Sequence, residues 1–82
     1  MSPDQIKSFI SEQLDCSHLS VEGDGVHFEA VAVSDKFLGI SKISRHKMIY
    51  EILGDKMKAE IHALSIKAFT TQEWAEKLSG KV

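Results

Sequence analysis

The sequence predicts an α+β fold in the order αββααβα, a three-stranded mixed sheet with helices packed on it. Three observations predict it. Two capping boxes, at Ser2–Gln5 and Thr70–Glu73, start helices near the two ends of the chain. Gly23-Asp24-Gly25 lies between two apolar segments, as a hairpin turn requires. A helix-length segment separates the second and third strand-like runs, so those two strands should run parallel.

The elements follow in order. Ser2-Pro3-Asp4-Gln5 gives a cap, a proline where its missing N–H does no harm, an acid, and the returning Gln. Ile6, Phe9, Ile10 and Leu14 then recur at helical spacing, and the helix should end near Asp15. His18 to Glu22 alternates as a short strand. Val26 to Val33 has apolar residues on both faces, which suits a central strand. Ser34 to Ile40 reads as a loop that bends at Gly39. Ser41 or Ser44 caps the next helix, whose inward positions read as Ile43, Tyr50, Leu53 and Met57, flanked by Ile49 and Ile52. Gly54 should split this segment into a long helix and a short one. Ile61 to Ala68 is the third strand. Phe69 and Trp74 form a hydrophobic staple around the last cap, and Ala75 and Leu78 complete that helix's inner face. The topology matches a type II KH-like arrangement.

Size and charge narrow the function. The 82 residues have no internal repeat and no linker, so one domain over 1–82 is expected. The net charge of −2 lacks the global basic field of a nucleic-acid binder, so any such binding needs a local patch. No apolar run approaches the ~20 residues of a membrane span, and the start of the chain does not read as a secretory signal. Cys16 is the only cysteine, so neither an intramolecular disulfide nor a cysteine-only metal cage is available, and the cytoplasm is the expected compartment.

Candidate chemistry rests on the histidines. His18 reads as an exposed polar residue. His27 follows the turn, on the face opposite Phe28, Ala30 and Ala32, where a surface histidine and an accessible metal ligand are both open readings. His62 begins the third strand in phase with Leu64 and Ile66, which suits a core residue or a ligand. Parallel second and third strands would bring His27 and His62 to one end of the domain. Two imidazoles do not complete a tetrahedral site, so the pair implies either a half-site finished by another molecule or no metal site. Lys42, Arg45, His46 and Lys47 form a small basic patch at a helix start, read either as a solvated face or as a partner or nucleic-acid surface. His46 should be partly buried. No catalytic triad motif and no glycine-rich phosphate loop appears, so no enzyme activity is expected.

Two motifs carry a resemblance. Phe37-Leu38-Gly39-Ile40-Ser41-Lys42-Ile43-Ser44-Arg45-His46 has the F-x-G-x-S-x-x-x-R-H pattern of the BolA family. Ile61-His62-Ala63-Leu64-Ser65-Ile66-Lys67, then Thr70, Glu73 and Trp74, is similar to that family's I-H-A-x-x-x-K…T-x-x-E-W. The first helix and hairpin also fit, and the short turn with a histidine resembles the bacterial IbaG/YrbA-type branch. The resemblance implies a BolA-like adaptor that is not an enzyme. It would pair with a monothiol glutaredoxin and share a [2Fe-2S] cluster, with ligands from the glutaredoxin cysteine, from glutathione, and from His62 and His27 here. No cluster would sit tightly on the isolated chain, whose apo form is expected to be a monomer. Family members are also described as stress and morphology regulators that bind DNA, but no G-x-x-G clamp is present here.

Overall fold

The computed structural model describes residues 1–59, 61 and 63–80. The elements are α1 (Pro3–Gln13), β1 (His18–Gly23), β2 (His27–Val33), α2 (Lys42–Leu53), α3 (Lys56–Ala59), β3 (Ala63–Phe69) and α4 (Thr71–Ser79). The strands form one mixed sheet in the order β1-β2-β3. β1 pairs antiparallel with β2, and β2 pairs parallel with β3. The expected order and the central place of β2 are therefore found.

Local chemistry explains the boundaries. Ser2 accepts from the Gln5 backbone N–H while the Gln5 side chain accepts from the Ser2 N–H, which starts α1. Ser41, not Ser44, caps α2, and its hydroxyl accepts from the Ser44 N–H. Gly54 closes α2 at φ +53°, a region that L side chains rarely adopt. Thr70 and Glu73 form the second capping box, starting α4. Between β2 and α2, the expected loop holds a single 3₁₀ turn, Asp35–Phe37, that drives Phe37 into the core.

The sheet has one covered face. Phe28, Ala30 and Ala32 of β2 and Ile66 and Ala68 of β3 are buried, and side-by-side pairing puts Val21 and Leu19 of β1 on the same face. Ile6, Ile10 and Leu14 of α1, Ile49 and Leu53 of α2, and Phe37 join them in the core. Residues of the opposite phase, from Ser20 and Glu22 to His27, Glu29 and Lys67, lie on the other face.

Three expectations need correction. In α2, Ile43 is 71% exposed and Tyr50 is also exposed, whereas Arg45, Ile49 and Leu53 are buried. The i, i+4, i+8 stripe sets the helix phase because the Arg45 guanidinium must reach β3 and α4. In α4, Leu78 and Ala75 are exposed and no side chain is buried, since its packing on β3 runs through Trp74 and Lys77 over the Phe69 ring. There Trp74 packs on Phe69 at 5.4 Å and stacks on His18 at 5.0 Å, so the staple forms and His18 is part of it. The third strand is described over Ala63–Phe69, and Ile61, expected within it, is buried ahead of it.

Candidate functional site

His27 is the first residue of β2, and the turn before it fixes its backbone. The Asp24 carboxylate accepts from the backbone N–H groups of His27 (2.8 Å) and Val26 (2.9 Å). These two bonds hold the Asp24 carboxyl below its usual range, the His27 amide most of all. The His27 side chain is 76% exposed, with Nδ1 3.9 Å from Asp24 Oδ2, an ion-pair distance when the ring is protonated. Gly23 permits this turn because a Cβ there would meet the His27 carbonyl oxygen and the Phe28 ring, each at 2.5 Å.

A groove of about 540 Å³ opens beside His27, lined by Glu22, Asp24, His27, Glu29, Ala63 and Ser65. Register explains the membership: His27 pairs with Ala63, and Glu22, Glu29 and Ser65 lie side by side on the three strands. Like charges directly opposite one another are unfavourable, and Lys67 Nζ, 3.7 Å from Glu29 Oε1, offsets part of this. The groove is thus an acidic rim around one exposed imidazole. Sequence reasoning missed the acids. No local signal gave them: a turn over Gly23–Gly25 would set Glu22 opposite Val26, whereas the observed register pairs Gly23 with Phe28 and so Glu22 with Glu29.

His62, expected beside His27, lies outside the described residues. The parallel register nonetheless brings Ala63, which follows it in the chain, level with His27. Among the described residues, no three His, Cys, Asp or Glu side chains converge to hold a metal ion. Cys16 is half-buried, and burial, followed by the neighbouring Asp15 charge, pushes its thiol up, away from the reactive thiolate.

The basic patch divides. Arg45, expected on a partner or nucleic-acid surface, is only 5% exposed. Its Nε donates to the Ile40 carbonyl (2.8 Å), and Nη1 donates to the Ala68 carbonyl (3.0 Å) and to Glu73 Oε1 (2.6 Å). Nη2 completes a fork on Glu73 Oε2 at 3.2 Å. This arginine is an internal tie between the α2 approach, β3 and α4, not a surface cation. Lys42 and Lys47 remain exposed and His46 is partly buried, as expected from its spacing. Lys42 and His46 line a smaller groove of about 250 Å³ with Ile66, Lys67, Ala68 and Phe69.

The Arg45 tie carries a pH prediction. Its hydrogen bond, then that from the Thr70 N–H, lowers the Glu73 carboxyl from 4.5 to about 2. A depressed carboxyl contributes its stabilisation in full above the unfolded value and loses it as pH falls through the folded one. Wild type should therefore melt above Glu73→Gln by a constant margin above pH 4.5, and that margin should close towards pH 2. Thermal melts of both proteins between neutral pH and pH 2 check this; a margin unchanged at pH 2 would refute it.

No described helix is long and apolar enough to cross a membrane. The family pattern described as BolA-like protein matches residues 10–73. The acid stress protein IbaG of Escherichia coli K12 is 37% identical over 86 residues, covering 98% of this chain and 99% of that protein. The DNA-binding transcriptional regulator BolA of Vibrio cholerae is 37% identical over 59 residues, covering 72% of this chain and 56% of that protein. A solved bolA protein homologue from Coxiella burnetii superimposes with a TM-score of 0.82 at 41% identity, covering 92% of this chain and 97% of that one.

Proposed function

The chain belongs to the BolA-like family, and from that premise we propose that it is a non-enzymatic adaptor that pairs with a monothiol glutaredoxin and co-ligates a shared [2Fe-2S] cluster. The observation that carries the reading is the placement of His27. Its imidazole is exposed at the mouth of a groove, on a rigid strand, level with the residue that follows His62. Neutral imidazole is a good iron ligand, and one or two such donors form an incomplete site that a partner must finish. His27 and His62 are the residues assigned to the iron, with the glutaredoxin cysteine and glutathione supplying thiolates. When bound, the cluster supplies one-electron chemistry, at a potential raised by replacing thiolate with imidazole, as in Rieske centres. The protein's own part is to hold the His27 backbone through the Asp24 turn and to present the ring to solvent.

Anaerobic reconstitution tests the pairing. A monothiol glutaredoxin with glutathione, iron and sulfide is mixed with this chain and read by visible absorption and circular dichroism. A spectrum distinct from that of glutaredoxin alone supports the adaptor reading. A spectrum identical to it would end that reading.

A second reading, DNA binding, is favoured by the regulator names of several relatives. It would rest on Lys42, His46 and Lys47 alone, because Arg45 is committed to Glu73. It requires an affinity that falls steeply with salt and weakens in Lys47→Ala. A gel shift without binding at micromolar protein in physiological salt would exclude it.

A further inference from the structure

β3 is one of the two edge strands of the described sheet. In the parallel pair with β2, alternate β3 residues face β2. The Ala63 N–H donates to the Val26 carbonyl, and the Phe69 carbonyl accepts from the Ser34 N–H, so the odd-numbered residues point inward. Leu64, Ile66 and Ala68 therefore aim their amides and carbonyls away from the sheet. The Ala68 carbonyl accepts from Arg45, which fits that parity and closes one end of the edge. Strand order leaves β3 without a neighbour on this side among the described residues. The groove along Ile66–Phe69 runs beside this edge, and Lys42 and His46 of α2 form its other wall.

We propose that the β3 edge docks an extended acidic peptide segment of a partner protein, which adds as a fourth strand at Leu64 and Ile66 with its carboxylates towards Lys42 and His46. Two features select this occupant. The edge offers N–H and C=O groups in alternation, and an extended peptide satisfies both. The sugar–phosphate backbone of DNA has acceptors only, so along its backbone it would leave the carbonyls unpaired. The side-chain wall is cationic, with Lys42 exposed and the one nearby guanidinium already neutralised by Glu73. A second copy of this chain is the poorer occupant, because its own groove residues, Lys42, His46 and Ile66 to Phe69, bring no carboxylate to meet Lys42. The site rests on α2 and the free side of β3 alone and uses no cluster ligand, and His27 lies across the sheet on β2.

The test uses the full chain, labelled with ¹⁵N, and a synthetic peptide of about ten residues alternating threonine and glutamate. The control peptide has lysine for glutamate. Amide hydrogen exchange at Leu64 and Ile66 should slow with the acidic peptide and not with the control. Lys42→Glu should weaken the acidic peptide about fivefold or more and improve the lysine peptide, with a melting temperature no lower than wild type, since an acid suits the start of α2. Binding that leaves both amides exchanging at the free rate would reduce the interaction to diffuse charge attraction and overturn the proposal. So would no binding at about 1 mM peptide, protection conferred by a single-stranded oligonucleotide instead, or sedimentation showing that the chain pairs with itself through this edge.

Discussion

Replacing Arg45 with alanine is expected to lower unfolding free energy by about 3 kcal/mol, or roughly 12–24 °C in Tm for a domain of this size. The side chain is buried and makes bonds to three separate pieces of the molecule: the Ile40 carbonyl, the Ala68 carbonyl and the Glu73 carboxylate. Its guanidinium carbon also lies 5.7 Å from the centre of the Phe37 ring. Alanine leaves the Ala68 carbonyl without its donor and the α4 cap without its counter-charge. Glu73 is partly exposed and regains water, which keeps the loss at the lower end for a broken buried pair. Lysine at 45 should recover only part of the loss, since one ammonium does not reproduce a planar fork on three acceptors. Lys47→Ala, two residues on and exposed, should stay within about 0.5 kcal/mol. Urea unfolding of the three variants measures this. Equal and small effects at 45 and 47 would restore Arg45 to the surface patch.

The second large effect separates the two apolar stripes of α2. Ile49→Ala should cost roughly 2–5 kcal/mol, because the side chain is fully buried among α1, Phe37 and the sheet and leaves a cavity. Ile43→Ala should change stability by less than about 0.5 kcal/mol. A periodicity argument alone places Ile43, Tyr50 and Leu53 on one buried face and would give Ile43 the larger cost. Chemical denaturation of both variants decides between the two phases of the helix, and a larger loss at Ile43 would contradict the observed one.

Much of the fold is legible in the sequence because its signals are local. Both capping boxes, the glycine turn, the Gly54 break and the Phe69–Trp74 staple each involve residues a few positions apart. The errors come from interactions across long separations. Nothing near Arg45 in the sequence announces Glu73, so an arginine in a basic run reads as part of a solvated or partner-binding surface, and the helix phase follows Ile43 and Tyr50 instead. Similarly, Leu78 reads as inward because its spacing from Trp74 is helical, yet α4 packs on β3 through Trp74 and Lys77 over the Phe69 ring and leaves Leu78 exposed. At the candidate site, the backbone geometry of His27 follows from Asp24 two positions before Val26. The acidic rim needed the β1–β2 register, which places Glu22 beside Glu29. Burial of Arg45 leaves Lys42, His46 and Lys47 in the basic patch.

The central claim is that histidine nitrogen from this chain sits on iron in a shared cluster. Pulsed electron paramagnetic resonance of the reduced complex with a monothiol glutaredoxin and glutathione reads that bond directly. Hyperfine coupling to imidazole nitrogen in the wild-type complex, diminished in His27→Ala and again in His62→Ala, is the predicted result. A cluster without nitrogen coupling, or one whose coupling survives unchanged in both variants, would contradict the claim.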